Sequence, residues 1–282
     1  MQEQRGPVRL VASDMDGTIV GAGNSISDRT VRAFRECRAA GIDIVFVTGR
    51  PPRWLDPLRR RIGHEGTVIC SNGAITYDLA SDEVLASSLL PLEQMFAAAT
   101  VIRRLFPAVH FAAETVDGVH LEPGFADTGS TEVLGGIVPR PLRDSLAGHA
   151  GVAKFLARAT GISPDDFLHR VAPEVADLVA TTHSAPTMPL LEMSLPGLNK
   201  AVTLADYAAR KGIAAHETVA FGDMPNDIQM LEWAGQGYAM ASGHPAARAA
   251  ADFTAPGLDE DGVAVILERL LDRSTAAEAG AR

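Results

Sequence analysis

Apolar and polar positions along this chain alternate on the scale of whole elements. From Val8 to Ser13 a mostly apolar run empties into Asp14-Met15-Asp16-Gly17-Thr18, the pattern of a buried strand that ends in a polar loop. Ser27 or Asp28 can cap a helix whose apolar positions Val31, Phe34 and Cys37 recur at helical spacing, with Gly41 just past its end. Ile42 to Val47 is a second buried-type strand, stopping at Thr48-Gly49-Arg50. Pro51 and Pro52 suit the first turn of a following helix, and Thr67 to Ser71 is a third strand that ends at Asn72-Gly73. Strands alternating with helices in this way predict an α/β fold with a parallel sheet wrapped by helices.

The same rhythm returns late, with a helix from about Lys200 to Lys211, a strand at Thr218 to Phe221 and a helix after Pro225. Asp14, Thr48, Asn72 and Asp223 all fall at strand ends, and open parallel sheets bind ligands outside the carboxyl ends of their strands. Between the two halves the texture changes. Alternating segments at Val109 to Ala113 and Leu178 to Thr182, with helix-like segments at Leu92 to Leu105 and Pro164 to Val171, predict an inserted α+β domain over residues 82–189. The core is then expected to comprise residues 1–81 and 190–274. Gly118 to Gly151, rich in glycine, proline and acidic residues, reads as the loop-like part of the insert, and residues 275–282 as a flexible tail.

Composition narrows the class of protein. A chain of 282 residues that is 46% hydrophobic buries a sizeable core, and no apolar run approaches the roughly 18 residues of a membrane helix. The short polar start fits neither a signal nor a transit peptide, so a cytoplasmic address and no membrane partner are expected. A formal net charge of -10 argues against a nucleic-acid partner, which normally meets a basic face. Only Cys37 and Cys70 occur, which suggests reduced core thiols and neither a disulfide framework nor a cysteine metal site.

Two carboxylates, Asp14 and Asp16, stand two residues apart beside Gly17, where backbone can approach a ligand closely. So close a pair repels itself without a cation. Phosphoryl transfer needs a nucleophile, a proton donor for the leaving oxygen and positive charge on the equatorial oxygens, and a carboxylate can be the nucleophile where a metal screens it. Asp223, at another strand end, adds the third hard oxygen ligand of the kind magnesium prefers.

Taken in order, Asp14-Met15-Asp16-Gly17-Thr18, Val47-Thr48-Gly49-Arg50, Asn199-Lys200 and Gly222-Asp223-Met224-Pro225-Asn226-Asp227 resemble the four motifs of haloacid dehalogenase phosphatases. The layout is most similar to the Cof-type subfamily, whose large cap lies between the second and third motifs. The resemblance implies a Rossmann-like doubly wound core, a Mg2+ cofactor and a small phosphorylated metabolite as substrate. It also implies Asp14 as nucleophile and metal ligand, Asp16 as general acid then base with its carbonyl on the metal, and Asp223 as a further metal ligand. Thr48, Lys200 and Asn226, with the backbone amides of Met15 and Gly49, would hold phosphate oxygens, and Asp227 would orient Lys200. One departure is Met240-Ala241-Ser242-Gly243-His244-Pro245, where the subfamily has a Met-Gly-Asn-Ala-like turn.

Other residues read more plainly. Arg50 is either a substrate contact or a structural ion-pair partner. Arg59-Arg60-Arg61 reads as a solvated helix end, Trp54 as a core residue or one lining the pocket mouth, and His110, His120 and His183 as surface or structural. A phosphomutase and a non-catalytic sensor of a phosphorylated metabolite are the rival functions. The insert is expected to act as a lid that admits metabolites such as sugar phosphates, flavin mononucleotide or pyridoxal phosphate and excludes phosphoproteins.

Overall fold

A computed structural model describes residues 7–63, 66–126 and 137–280, with side chains as far as 272. Two compact units emerge: a discontinuous one that leaves at Leu85 and resumes at Lys200, and an inserted one, Ala86–Asn199. Along the chain the first unit begins with β1 (Leu10–Ser13), a helix at Asp28–Ala39, β2 (Asp43–Val47), a helix at Asp56–Arg61, β3 (Thr67–Cys70), β4 (Ile75–Asp78) and β5 (Glu83–Ser87). The inserted unit follows with β6 (Leu90–Pro91), a helix at Leu92–Leu105, β7 (His110–Glu114), β8 (Val119–Leu121), β9 (Gly151–Val152), β10 (Lys154–Arg158), a helix at Pro164–Val175, β11 (Ala180–Thr182) and β12 (Leu190–Ser194). The first unit then resumes with the helix Lys200–Arg210, β13 (Thr218–Gly222), a helix at Ile228–Trp233, β14 (Gln236–Met240), a helix at Pro245–Ala250, β15 (Phe253–Ala255) and a last helix at Gly262–Gly280.

The large sheet runs β15-β14-β13-β1-β2-β3-β4-β5. Its strands from β15 to β3 pair in parallel, and β4 returns antiparallel to β3. Every residue of β1 and β13 is buried, as expected of central strands covered on both faces, which is why they read as unbroken apolar runs. Ser27 caps the first helix by accepting a hydrogen bond from the Thr30 amide, and Val31, Phe34 and Cys37 are its buried stripe. Phe34 meets Phe46 of β2 edge to face at 5.2 Å, and burying such a ring stabilises by roughly 1.5–3 kcal/mol. Cys37 and Cys70 are both buried, and neither is in a disulfide.

The inserted unit is a five-stranded sheet, β11-β12-β10-β7-β8, antiparallel at each pairing. One face packs Phe111, Ala113, Phe155, Ala157, Leu191 and Met193 against the helices Leu92–Leu105 and Pro164–Val175. This placement corrects the expected junctions. Residues 190–199 belong to the inserted unit and not to the core, because β12 is held between β10 and β11. The first junction falls after Leu85 and not after residue 81.

One smaller expectation also changes. Trp54 lies in the single 3-10 turn Pro52–Trp54 and is 43% exposed, and the core position goes to Leu55 beside it. The arginine triplet ends its helix as expected, with Arg60 and Arg61 in exposed ion pairs to Asp56 and Asp28, while Arg59 is half-buried and donates to Asp82 and the Tyr77 hydroxyl. The backbone of 275–280 continues the last helix, and 281–282 lie outside the described residues. Residues 127–136 of the Gly118 to Gly151 stretch lie outside the described residues. Among the described residues no helix is long and apolar enough to cross a membrane.

Candidate active site

Strand order reverses direction at the centre of the large sheet, where β1 pairs with β13 on one side and β2 on the other. A crevice at the carboxyl ends of the strands is the expected consequence of such a reversal. Asp14 follows β1 directly, and its amide donates to the Phe221 carbonyl of β13 at 2.9 Å. Asp223 follows β13. The first two carboxylates are therefore brought side by side by strand pairing alone, although about two hundred residues separate them.

Lys200, the first residue of its helix, is fully buried between two of the acids. Its Nζ donates to Asp14 Oδ1 and to Asp227 Oδ1, both at 2.6 Å. Asp227 is fully committed, because its other oxygen accepts from the Asp223 and Met224 amides at 3.0 Å each. Gly222 permits this arrangement, since a Cβ there would stand 2.5 Å from the Cβ of Asp227. Thr18 donates to Asp223 Oδ1 at 3.3 Å.

Backbone conformation keeps the acids close. Gly17 has φ +79°, and a Cβ on it would lie 2.1 Å from Asp223 Oδ2. The Met15 carbonyl accepts from the Ile19 and Val20 amides, folding the segment after β1 into a tight turn. The turn that departs from the subfamily pattern also serves the site, because the His244 amide donates to the Asp223 carbonyl at 2.7 Å.

Crowding shows in the electrostatics. Burial, with Asp227 and Asp16 adding repulsion, lifts the Asp14 carboxyl to about 7 in spite of Lys200. Burial and the neighbouring Asp14 and Asp227 lift Asp223 to about 9. Burial alone would depress Lys200, but Asp14 and Asp227 more than offset it and hold its ammonium charged. Asp14, Asp223 and Asp227 each offer an oxygen within 4.8 Å of the others. With Asp227 committed, Asp14 Oδ2 and Asp223 Oδ2 remain with no hydrogen bond among the described residues. An excess of buried carboxylate and an all-oxygen donor set fit a hard divalent cation such as Mg2+.

Thr48 follows β2 and is fully buried. Its Oγ1 accepts from the Arg50 amide at 3.0 Å, which leaves the hydroxyl hydrogen for a ligand oxygen. Asp16 is the most exposed of the predicted residues, with a side chain 55% accessible. Arg50 grips it through both oxygens, Nε to Oδ2 at 2.7 Å and Nη2 to Oδ1 at 2.5 Å, and also donates to Asn24 Oδ1 and the Trp54 carbonyl. Of the two readings the sequence left open for Arg50, the structure shows the ion pair. Asn226 is buried and donates through Nδ2 to Asn72 Oδ1 at 3.0 Å. Thr18 thus joins the predicted site residues, together with Arg50, whose role the sequence left open, and Asn72, which the sequence marked only as a strand end. Thr18 and Arg50 sit inside recognised motifs and Asn72 ends a strand outside them, but only tertiary proximity reveals what each touches. His183, by contrast, is buried and bonded to Asp165 at 2.9 Å in the inserted unit.

The sheet order and the acid-lysine cluster define a hydrolase class, and a family model for haloacid dehalogenase-like hydrolases matches residues 11–267, so the chain belongs to that family. It is a hydrolase acting on phosphomonoesters. Among its relatives, 5-amino-6-(5-phospho-D-ribitylamino)uracil phosphatase YcsE of Bacillus subtilis is 27% identical, covering 94% of this chain and 96% of its own. Pyridoxal phosphate phosphatase YbhA of Escherichia coli is 23% identical, covering 87% and 92%. In fold, the chain resembles BT1666 of Bacteroides thetaiotaomicron, a HAD phosphatase, with a TM-score of 0.76 at 23% identity over 96% and 97% of the two chains. It likewise resembles the HAD subclass IIB sugar phosphatase BT4131, with a TM-score of 0.76 at 22% identity over 93% and 98%.

Proposed function

We propose that the chain is a Mg2+-dependent phosphatase that hydrolyses a small phosphorylated metabolite through an aspartyl phosphate on Asp14. The observation that carries this reading is the buried Lys200 ammonium, 2.6 Å from both Asp14 and Asp227, with Asp223 alongside. Asp14 and Asp223, with the Asp16 carbonyl, would hold the cation. When bound it neutralises the carboxylates and polarises the phosphoryl oxygens.

The Asp14 carboxylate attacks phosphorus, the ester P–O bond breaks, and Asp16 gives its proton to the departing oxygen. Asp16 then takes a proton from water as that water attacks phosphorus, the P–O bond to Asp14 breaks, and inorganic phosphate leaves with Asp14 regenerated. Thr48, Lys200, Asn226 and the Met15 and Gly49 amides supply donors to the equatorial oxygens, and Asp227 orients Lys200. Because these groups address only the phosphoryl end, recognition of the rest of the substrate falls to the inserted unit. Ribityl- and pyridoxal-type phosphates, named for two relatives, head the candidates with sugar phosphates and flavin mononucleotide.

Phosphate release from p-nitrophenyl phosphate and a metabolite panel, with and without Mg2+, tests the proposal. Steady Mg2+-dependent turnover that disappears in Asp14→Asn, with the fold retained by circular dichroism, is the expected result. Activity of Asp14→Asn within tenfold of wild type would overturn it. A phosphomutase would release little phosphate, and a sensor none.

A further inference from the structure

Between β3 and β4 the chain reverses through Ser71-Asn72-Gly73, and three successive residues there have positive φ: 51°, 57° and 105°. Glycine takes that conformation freely and asparagine tolerates it, but serine does so at a cost. Backbone held in so sparse a region persists only where surrounding contacts over-determine it, and such positions gather at functional sites. Those contacts are specific here. The Ser71 amide donates to the Arg50 carbonyl and the Asn72 amide to the Thr48 carbonyl, both at 3.0 Å. Thr203, one turn into the helix that Lys200 begins, donates its hydroxyl to the Gly73 carbonyl at 2.8 Å. The turn is therefore tied to the segment carrying Thr48 and to the helix carrying Lys200.

Its third tie is a side-chain one. Asn72 Oδ1 accepts from Asn226 Nδ2 at 3.0 Å, with both residues more than nine-tenths buried and 154 positions apart. Because Asn72 presents an acceptor, the Asn226 carboxamide must turn its NH2 end toward it. One Nδ2 hydrogen is then used on Asn72, and the other remains to donate. At the opposite end Asn226 Oδ1 is buried without a hydrogen-bond partner, as is Ser71 Oγ. Buried polar atoms left this way are costly, so the pair is held for a reason other than its own satisfaction.

We infer that Asn72 is a positioning residue of the phosphate site: it fixes the orientation of the Asn226 amide, and its strained turn aligns the Thr48 and Lys200 segments around it. The inference rests on the proposed phosphatase reading and adds to it a residue outside the four recognised motifs. Asn72→Gly separates this role from a structural one, because glycine accepts the left-handed backbone at no steric cost while removing the carboxamide.

The expected result with p-nitrophenyl phosphate is a variant that still folds, with native circular dichroism, and has kcat/KM lowered about 10- to 100-fold, the scale of a misplaced site group. Competitive inhibition by inorganic phosphate should weaken in parallel. Asn226→Ala should lose a similar amount, and the double variant should be no worse than Asn226→Ala alone within about twofold, since one residue acts through the other. Asn72→Gly activity within twofold of wild type, or losses that multiply in the double variant, would overturn the inference. Failure of the wild type to release phosphate would instead sink the phosphatase reading. In that event a crystal structure of Asn72→Gly decides: an Asn226 amide unmoved by the substitution refutes the positioning role, and a reoriented one supports it.

Discussion

Replacing Lys200 by methionine should destabilise the first unit by about 4 kcal/mol at pH 8 in the absence of divalent metal. Methionine nearly preserves the volume of this fully buried side chain, so the loss is electrostatic and not a cavity. Two contacts at 2.6 Å disappear, to Asp14 and to Asp227, and those two carboxylates are left facing one another without a counter-charge. Stranding a buried charge by deleting its partner costs roughly 3–5 kcal/mol, and losing two hydrogen bonds to charged groups at roughly 1.5–3 kcal/mol each gives a similar figure. The cost should be smaller at pH 5, because the Asp14 carboxyl, lifted to about 7, is charged at pH 8 and largely neutral at pH 5, whereas Asp223, lifted to about 9, is largely neutral at both. Urea denaturation followed by tryptophan fluorescence measures this unit selectively, since Trp54 and Trp233 are the only tryptophans and both belong to it. A loss below about 1 kcal/mol at pH 8, or an equal loss at both pH values, would refute the reasoning.

Other outcomes follow from the same geometry. Asp16→Asn should slow hydrolysis by about 10²–10⁴-fold, most severely for alkyl phosphates whose leaving oxygen needs a proton; equal losses for alkyl and nitrophenyl esters would count against Asp16 as the acid. Arg50→Ala removes the two-pronged hold on Asp16 and should lower kcat more for alkyl than for nitrophenyl esters, with little change in melting temperature; a uniform rise in KM would assign Arg50 to substrate binding instead. Gly17→Ala drives a Cβ to within 2.1 Å of Asp223 Oδ2 and imposes φ +79° on a side chain, so Mg2+ binding measured by calorimetry should weaken at least tenfold. The folded-state carboxyls of Asp14 and Asp223 are raised from 3.8, so the folded chain binds more protons than the unfolded one between about pH 4 and pH 9. Their contribution to the stability of the metal-free protein therefore falls as pH rises through that window. Stabilisation by added Mg2+, read by thermal denaturation, should accordingly be larger at pH 8 than at pH 5.5, and the opposite order would contradict the assignment of these acids.

Sequence alone determined what depends on short-range pattern. A buried strand announces itself as an apolar run, and a polar residue that ends it marks a strand end, so Asp14, Thr48 and Asp223 were legible as members of one rim. Helical periodicity and capping residues were equally local, as Ser27 over its Val31, Phe34 and Cys37 stripe shows. Lys200 and Asn226 entered through the order of the motifs, because nothing in their immediate neighbours distinguishes a buried ammonium or amide from an exposed one. Tertiary structure decided everything that rests on pairing across long stretches of chain. That Arg50 closes on Asp16 from 34 residues away, that Asn72 meets Asn226, and that Leu190–Ser194 joins the inserted sheet are consequences of which strands become neighbours. Hydrogen bonds and ion pairs carry no periodicity of their own, and a segment of alternating Leu191, Glu192 and Met193 fits either sheet until β10 and β11 supply its partners. The perturbed acids belong to the same class: burial and mutual repulsion raise Asp14 and Asp223, and both effects exist only once the chain has folded around them.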